Sequence, residues 1–214
     1  MDYLRYLLPS TVLTLTGVGI LAGGPWVWLG LGLFVLMAVP DMLLDFDFSA
    51  RRMSFKGAMF MLFIQVIPLT FLWVAYWLFT RNHPPMVEII GAVTSMAIIT
   101  AAVGLPIGHE MFHRAEGISR ALGASFTNLF MFNYIELEHN KSHHVETSSA
   151  LDVDTPYRGE SVYHFIPRLF LYVHTNSFAQ EARRMKGYGK SVWFSPSSRV
   201  FWQWVGAAAL LGTF

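Results

Sequence analysis

The sequence predicts an all-α fold, a polytopic helical membrane protein with a histidine-rich segment outside the membrane. Three observations lead to this fold class. Of the 214 residues, 54% are hydrophobic and 14% are charged, whereas about 25% of the residues in soluble domains are charged. Several long stretches carry no charge, and about 20 apolar residues are enough for a helix that crosses a bilayer. Most of the eight histidines fall in two short motifs near the middle of the chain.

Two apolar runs near the N-terminus predict a tight helical hairpin. The first extends from Leu7 to Ala22 and the second from Trp26 to Leu44, with the turn-forming residues "GGP" between them. A cleavable signal peptide has a single apolar core. Because a second apolar run follows so closely, we interpret both runs as membrane helices.

The next two spans are predicted from uncharged runs. Gly57 to Thr80 is an uncharged run of 24 residues, and Ile89 to Gly108 is one of 20. Both runs have the length of a transmembrane helix. The sequence therefore predicts spans over 57–80 and 89–108.

The segment 109–199 has a mixed composition and is predicted to lie outside the bilayer. Within it, Ser119 to Phe132 and Tyr163 to Lys186 are typical of helices at the membrane interface. The stretch "TSSALDVDTPYRGE" between them predicts a loop. A final apolar run, 200–214, is too short to cross the bilayer, so we expect the chain to be the N-terminal part of a longer protein. The second interfacial helix has an apolar side formed by Phe165, Leu169, Tyr172 and Val173.

Loop charges predict the orientation. Cytoplasmic loops carry an excess of Lys and Arg; Arg51 and Arg52 follow the second span and further basic residues recur in 109–199, whereas Arg81 alone follows the third span. We therefore expect a single transmembrane domain over 1–214 in a bacterial inner membrane, with the N-terminus and both histidine motifs in the cytoplasm. The net charge of +1 gives no reason to expect a nucleic acid partner.

The two motifs place histidines at the spacing of metal ligands. "GHEMFHR" puts His109 and His113 at i, i+4, which is one face of a helix. "EHNKSHH" adds His139, His143 and His144. Neutral imidazole is the commonest metal ligand in proteins. The sequence therefore predicts a cytoplasmic histidine-box metal site built from these five side chains.

Two kinds of metal centre fit such motifs. HExxH alone is a zinc-protease signature in which Glu110 acts as the base, and a catalytic zinc needs three protein ligands. Five histidines exceed that number and favour two metal ions. The chain has no cysteine, which excludes thiolate ligands within it, so iron bound by imidazole is the natural candidate for oxygen chemistry. A non-catalytic scaffold with vestigial boxes is a third hypothesis.

Acidic residues near the motifs are candidate partners for the histidine N–H groups. Glu110 and Glu138 are predicted in this outer role. Asp152 and Asp154 are further candidates, but we interpret them as ordinary solvated loop residues. Phe34 lies in the middle of the second predicted span and is a candidate for the wall of a substrate channel.

The motifs also resemble those of a known family. HExxH at the end of a span, followed about 25 residues later by EHxxxHH, resembles the histidine boxes of membrane-bound di-iron hydroxylases and desaturases. The stretches "MDYLRYLLP", "GGPWVWLG", "DFSAR" and "DVDTPYRGESVYHF" are similar to the alkane and xylene monooxygenase branch. The resemblance implies two non-haem iron ions and an enzyme that uses O2 and two electrons to hydroxylate a terminal or benzylic methyl group of a small hydrocarbon, methyl-aromatic or alkane. The family's iron ligands fall on His109, His113, His139, His143 and His144.

The resemblance further implies parts that this sequence lacks. The family has more histidine motifs on the C-terminal side of the two seen here, so we expect the 214-residue chain to be inactive alone. A fatty-acid-type desaturase and an inactive truncated fragment are the alternatives. Ligand spacing does not separate hydroxylation from desaturation.

Electrons must come from a partner protein. The chain has neither cysteine for an iron–sulfur cluster nor a G-x-G-x-x-G fingerprint within a soluble βαβ pattern. The resemblance implies a separate NADH-dependent flavin and iron–sulfur reductase. Contact with solvent or lipid headgroups is the favoured interpretation of the basic residues near the last predicted helix. The candidate contacts for the reductase are Arg183, Arg184, Lys186 and Lys190.

Overall fold

Helices form the regular structure in the computed structural model, which describes residues 7–43, 55–129, 138–139, 143–147, 149 and 151–212. No strand occurs in these ranges, which confirms the all-α prediction. The chain divides into two compact units, one ending at Ile107 and one beginning at Gly108. The single domain over 1–214 stays a prediction. Leu44 and residues 130–132, at the ends of two predicted helices, lie outside the described residues.

The described part of the first unit contains three helices and most of a fourth. α1 packs against α3, and α2 packs against α4. A 3₁₀ turn, Gly24–Trp28, lies between α1 and α2, and a π-helical segment, Thr100–Gly104, lies within α4. The helices are α1 (Leu7–Ala22), α2 (Leu29–Leu43), α3 (Phe55–Arg81) and α4 (Met86–Phe112).

The predicted glycine turn follows α1. Gly23 and Gly24 have positive φ angles of 69° and 55°, a backbone region that glycine enters without steric cost. The backbone N–H of Gly24 donates to the Glu88 carboxylate at 2.9 Å, and the Ser95 hydroxyl donates to the carbonyl of Val27 at 2.7 Å. Two side chains of α4 thus hold the turn of the hairpin.

Two of the described helices are long and apolar enough to cross a membrane. They are Met59–Arg81, with 23 residues, and Met86–Phe112, with 27. At 1.5 Å per residue they extend about 35 and 40 Å, more than the roughly 30 Å of bilayer hydrocarbon. α1 and α2 have 16 and 15 residues and are short for a span. The spans predicted over 57–80 and 89–108 are thus found as long apolar helices, and crossing by the hairpin stays a prediction.

The described part of the second unit contains the last turn of α4, three longer helices and a single helical turn, His144–Glu146. α5 packs against α7. The helices predicted over 119–132, 163–186 and 200–214 are found here with nearly the predicted starting points. They are α5 (Gly117–Leu129), α6 (Val162–Gly187) and α7 (Arg199–Leu211).

α5 approaches the end of α4 closely. Gly123 is buried, and a Cβ atom there would lie 2.9 Å from the carbonyl oxygen of Gly108 and 3.0 Å from both the Met111 Cβ and the Phe112 backbone nitrogen. Only glycine permits two backbones to meet at this distance without displacement. The contact fixes the end of α4, where the first histidine motif lies.

The buried face of α6 differs from the predicted apolar side. It comprises Val173, Ser177, Glu181 and Met185, and it shares only Val173 with the predicted apolar side, whose contact with the membrane interface stays a prediction. Glu181 is buried because Arg184 donates to its carboxylate at 2.6 and 2.8 Å, and because the first backbone N–H of α7 donates to it at 2.8 Å. A charge that is paired and hydrogen-bonded in this way is tolerated in the interior. The pattern was missed because paired polar residues look like exposed ones in a sequence.

Candidate metal centre

The first histidine motif lies at the end of α4. His109 is in the last turn of the helix, and His113 follows the helix end at Phe112. Their Nε2 atoms are 3.2 Å apart. The i, i+4 spacing therefore brings these two imidazoles together.

The second motif closes a ring with the first. The Nε2 atom of His139 lies 2.6 Å from that of His109. The Nε2 atom of His144 lies 3.0 Å from that of His139 and 3.4 Å from that of His113. With the 3.2 Å separation within the first motif, these distances join four Nε2 atoms in a closed ring. These side chains, the four-histidine cluster, are His109, His113, His139 and His144.

The four-histidine cluster has the donor set of a metal site. With metal–nitrogen bonds of about 2.1 Å, neighbouring ligand atoms lie about 3.0–3.4 Å apart. Three of the four separations, 3.0, 3.2 and 3.4 Å, fall in this range, and the 2.6 Å between His109 and His139 is shorter. A neutral imidazole carries one N–H, so one Nε2 atom cannot donate to two neighbours at once. A cation at the centre would engage all four lone pairs together. The residues therefore fit a transition-metal ion.

The fifth histidine is oriented by a carboxylate. His143 Nδ1 lies 2.9 Å from Asp152 Oδ1, and the Asp152 side chain is fully buried. An ionised carboxylate only accepts hydrogen bonds, so His143 Nδ1 carries the proton and Nε2 is the nitrogen available to a metal. Proteins commonly fix the tautomer of a metal-binding imidazole through such a pair.

A second carboxylate lies beside the histidines. Asp154 Oδ2 is 3.5 Å from His139 Nδ1 and 4.0 Å from His143 Nδ1. Ligand atoms of these three residues lie within 4.8 Å of one another. The rings of His139 and His143 stack with centroids 5.0 Å apart. The centre thus offers two adjoining groups of donors that share His139.

The interpretation of Asp152 and Asp154 as solvated loop residues is wrong. Their side chains are 0% and 17% exposed, and both face histidines. The available signal was an acid pair with one residue between them, in a loop that follows a histidine motif. Composition does not distinguish a loop that folds over a site from one that extends into solvent, and this is why the signal was discounted.

Glu138 connects the second motif to α6. It is 1% exposed, and its Oε2 atom accepts hydrogen bonds from the side-chain amides of Asn176 and Gln180, the latter at 3.2 Å. The two amides are one helical turn apart on α6. Sequence reasoning missed both of them, because amides at i, i+4 on a helix carry no distinctive signal for a site.

Glu110 faces a cation instead of an imidazole. Its carboxylate pairs with Arg114, one turn further along the chain, and its side chain is 48% exposed. Burial, followed by the neighbouring imidazoles of His139 and His144, lowers the pKa of His113, whereas the charge of Glu110 acts in the opposite direction. A role for Glu110 in orienting a ligand stays a prediction.

Two phenylalanines differ in their relation to the centre. Phe112 is buried, and its ring centroid lies 5.2 Å from that of His109 and 6.0 Å from that of His139. It covers one side of the four-histidine cluster with an apolar ring. Phe34 lies on α2 in the first unit and is 40% exposed, so its place in a substrate channel stays a prediction.

Some of the basic residues near the end of α6 serve the fold. Arg184 donates to the carbonyl of Ser197 at 2.6 Å, and Lys190 Nζ donates to the hydroxyl of Ser197 at 3.2 Å. Arg183 and Lys186 are exposed. Of the four candidate contacts for a partner, these two exposed residues are therefore the better candidates.

The chain is similar to known proteins over the range that carries both motifs. The Fatty acid desaturase family matches residues 83–214, a range that includes both histidine motifs. The xylene/toluene monooxygenase hydroxylase component of Pseudomonas putida is 29% identical over 198 residues, which cover 90% of this chain and 53% of that protein. Alkane 1-monooxygenase 2 of Pseudomonas aeruginosa is 23% identical over 198 residues, which cover 87% of this chain and 52% of that protein.

A shorter match leads to the same group of proteins. Alkane 1-monooxygenase 1 of Pseudomonas aeruginosa is 28% identical over 123 residues, which cover 58% of this chain and 32% of that protein. The chain therefore spans about half the length, or less, of these curated relatives. The resemblance to membrane-bound di-iron hydroxylases and desaturases is confirmed. Because the family match covers more than half of the sequence, the chain belongs to the fatty acid desaturase family.

Proposed function

We propose that the full protein is a membrane-bound, non-haem di-iron monooxygenase that hydroxylates a terminal or benzylic methyl group of a small hydrocarbon. The observation that carries this proposal is the four-histidine cluster with a second donor group adjoining it. The names of similar proteins, a xylene/toluene monooxygenase component and two alkane monooxygenases, support the reaction class.

The chemistry of the donors favours iron. His139, His143 and Asp154 form a group of two histidines and one carboxylate, a ligand set typical of non-haem iron oxygenases. The chain has no cysteine that would favour zinc or copper through thiolate. A zinc protease needs one ion and three ligands, and it would leave the second donor group without a purpose.

The proposed reaction consumes O2 and two electrons. R–CH3, O2, two electrons and two protons give R–CH2OH and water, so one C–H bond and the O–O bond break while one C–O bond forms. Bound iron would supply the activation of O2. We propose a separate NADH-dependent flavin and iron–sulfur reductase as the electron donor, because this chain has no cysteine for such a cluster of its own.

The protein's own residues hold and shield the centre. Asp152 keeps the proton of His143 on Nδ1, and thereby presents Nε2 as the ligand atom. Glu138 anchors the motif that carries His139. Phe112 lies against the cluster and excludes water from that side. A dry site limits the loss of reactive species to side reactions with water.

The substrate is expected to partition into the bilayer. Apolar transfer contributes about 0.8 kcal/mol per CH2 group, so a molecule of about eight carbons concentrates strongly in lipid. An apolar pocket discriminates by shape, and one methylene is worth only about 1–3 kcal/mol. We therefore propose several related substrates. We expect methyl-aromatics to be better substrates than linear alkanes. The xylene/toluene relative has 29% identity over 90% of the chain, whereas an alkane relative has 23% identity over 87%.

Desaturation is the alternative, and the family match fits it as a related reaction class. Both reactions begin with removal of hydrogen from an unactivated C–H bond, and they differ in the product. Hydroxylation places an atom from O2 in the product, whereas desaturation leaves a carbon–carbon double bond and no oxygen.

The test uses the full protein purified in detergent and supplied with its reductase, NADH and ¹⁸O2. We expect two iron ions per chain, an ¹⁸O-labelled alcohol, and faster turnover of toluene-like compounds than of medium-chain alkanes in competition. Stoichiometric zinc without iron would overturn the metal assignment. An unlabelled alkene as the main product would establish the desaturase instead, and a preference for alkanes would reverse only the order of substrates.

A further inference from the structure

The loop that carries Asp152 and Asp154 encloses a guanidinium group. Arg168 lies in the second turn of α6, and its side chain is 24% exposed. Its Nε and Nη2 atoms donate to the two carboxylate oxygens of Glu160 at 2.8 and 2.7 Å. Two parallel bonds of this kind fix the orientation of the guanidinium plane as well as its position.

Two aromatic rings also contact this guanidinium group. The Arg168 Cζ atom lies 4.1 Å from the ring centroid of Tyr157 and 5.4 Å from that of Phe165, within the range of a cation–π contact. Glu160 also accepts the backbone N–H of Tyr157 at 3.0 Å. The hydrogen bonds from Arg168 lower the pKa of Glu160 to about 2, so the ion pair is intact at neutral pH.

The same guanidinium holds the backbone on both sides of Asp154. Its Nη1 atom donates to the carbonyl of Val153 at 3.2 Å, and its Nη2 atom donates to the carbonyl of Thr155 at 3.3 Å. The carbonyl oxygens of the residues before and after Asp154 are therefore both bound to one rigid group. The direction in which the Asp154 side chain leaves the backbone follows from this.

Asp152 depends on the same stretch of backbone. Its Oδ1 atom accepts the backbone N–H of Asp154 at 3.0 Å, and its Oδ2 atom accepts the Thr155 hydroxyl at 2.6 Å. The carboxylate that faces His143 is thus held by the residues that Arg168 holds. A continuous chain of contacts runs from the guanidinium through the loop to two imidazoles.

We infer that Arg168 is a positioning residue that sets the two histidine-facing aspartates of the metal centre without touching a histidine itself. This inference rests on the proposed function. Lysine cannot replace it, because an ammonium group is a point charge that lacks the planar fork and stacks less well on aromatic rings. The loop "DVDTPYRGE" then serves as a built support for the ligands rather than as a surface connection.

The experiment compares Arg168→Lys with Arg183→Lys in the full protein. Arg183 is an exposed arginine on the same helix and serves as the matched control. Metal-free protein is titrated with Co²⁺, whose visible d–d bands report ligand geometry, and hydrogen exchange is measured over residues 152–160. In Arg168→Lys we expect about 10-fold weaker Co²⁺ binding, shifted d–d bands and faster exchange in this loop. In Arg183→Lys we expect wild-type values.

The outcomes separate this inference from the proposed function. Wild-type bands, Co²⁺ affinity and loop exchange in Arg168→Lys would overturn the positioning role. If Arg168→Lys loses its helical circular dichroism, the test uses Glu160→Gln, which removes the bidentate partner and leaves the arginine in place. Unchanged d–d bands in a folded Glu160→Gln protein would equally overturn the positioning role. Wild-type protein that binds neither Co²⁺ nor iron would end the proposed function, and the metal-centred role of Arg168 with it. Faster exchange in Arg168→Lys would then still show that Arg168 holds the loop.

Discussion

A histidine is prepared as a metal ligand by the group that faces its other ring nitrogen. The Nδ1 atom of His143 faces the buried carboxylate of Asp152 at 2.9 Å, and Nε2 is thereby available to a metal. The Nδ1 atom of His174 instead faces the carbonyl oxygen of Phe170, on its own helix, at 2.8 Å. A carbonyl oxygen fixes the tautomer of an imidazole as a carboxylate does, so this partner alone does not identify a metal ligand. His143 differs because its ring also stacks on that of His139.

The role of Asp152 can be tested by removing its charge while keeping its shape. Asp152→Asn should weaken iron binding about 10- to 100-fold, because partners behind a ligand tune both its tautomer and its basicity. Arg158→Gln is the control, since it removes a charge from an exposed residue of the same loop. Iron content after dialysis against graded chelator measures the difference. Equal affinity in the two variants would contradict the assignment.

The spacing of the histidines was enough to identify the cluster, but not its supports. In a helix, i and i+4 side chains lie on one face whatever surrounds them, so the meeting of His109 with His113 follows from local geometry. The burial of Asp152 depends on a loop that is held by Arg168, a residue of another element. Contacts of this kind are set by the tertiary fold and leave no periodic trace in the sequence.

Helices were predicted well where the length of an apolar run determines them. The buried face of a helix was predicted poorly where it contains paired polar residues. The uncharged runs became the cores of α3 and α4, because a long stretch without charges has few alternatives to a membrane or core helix. The buried face of α6 was missed because Ser177 and Glu181 lie in it. A buried carboxylate is stable only with its partners, and those partners, Arg184 and the start of α7, are brought to it by folding.

α6 also supports the second histidine motif, and Asn176 tests this. Asn176→Leu removes a donor from the buried carboxylate of Glu138. We expect a loss of about 1–3 kcal/mol in stability, the cost of leaving a buried polar group with a hydrogen bond unmade, together with weaker iron binding. Thr175→Val, on the exposed side of the same turn, is the control. Unfolding in detergent and iron content are measured for both.

An Asn176→Leu protein as stable and as rich in iron as the Thr175→Val protein would contradict this view of α6. Loss of stability with unchanged iron affinity would restrict the role of Asn176 to folding. Asn176→Asp offers a further check, because a second carboxylate beside Glu138 should be worse than leucine at neutral pH through like-charge repulsion.

At the scale of the whole molecule, the orientation in the membrane is the main open prediction. The positive-inside rule predicts that the segment after α4 lies in the cytoplasm, and the 214 residues contain no cysteine that a thiol reagent would label. Single cysteines replace Arg158, exposed in the loop before α6, and Asn82, exposed after α3. A membrane-impermeant thiol reagent added to intact cells should label Asn82→Cys and not Arg158→Cys. The reverse pattern would invert the topology.

The close contact of Gly123 with the end of α4 bears on mutational tolerance. Because a Cβ at this position would meet backbone atoms of Gly108 and Phe112, no neighbouring side chain can rotate away to make room. A residue that binds no metal is therefore expected to be as intolerant of substitution as a ligand. Gly117, at the start of the same helix, has open space where its Cβ would lie, and it should accept many residues. If all substitutions at both positions were screened for iron retention, those at Gly123 should lose iron as those at His109 do, and those at Gly117 should retain it as surface substitutions do. Related sequences should then vary at Gly117 and keep glycine at Gly123.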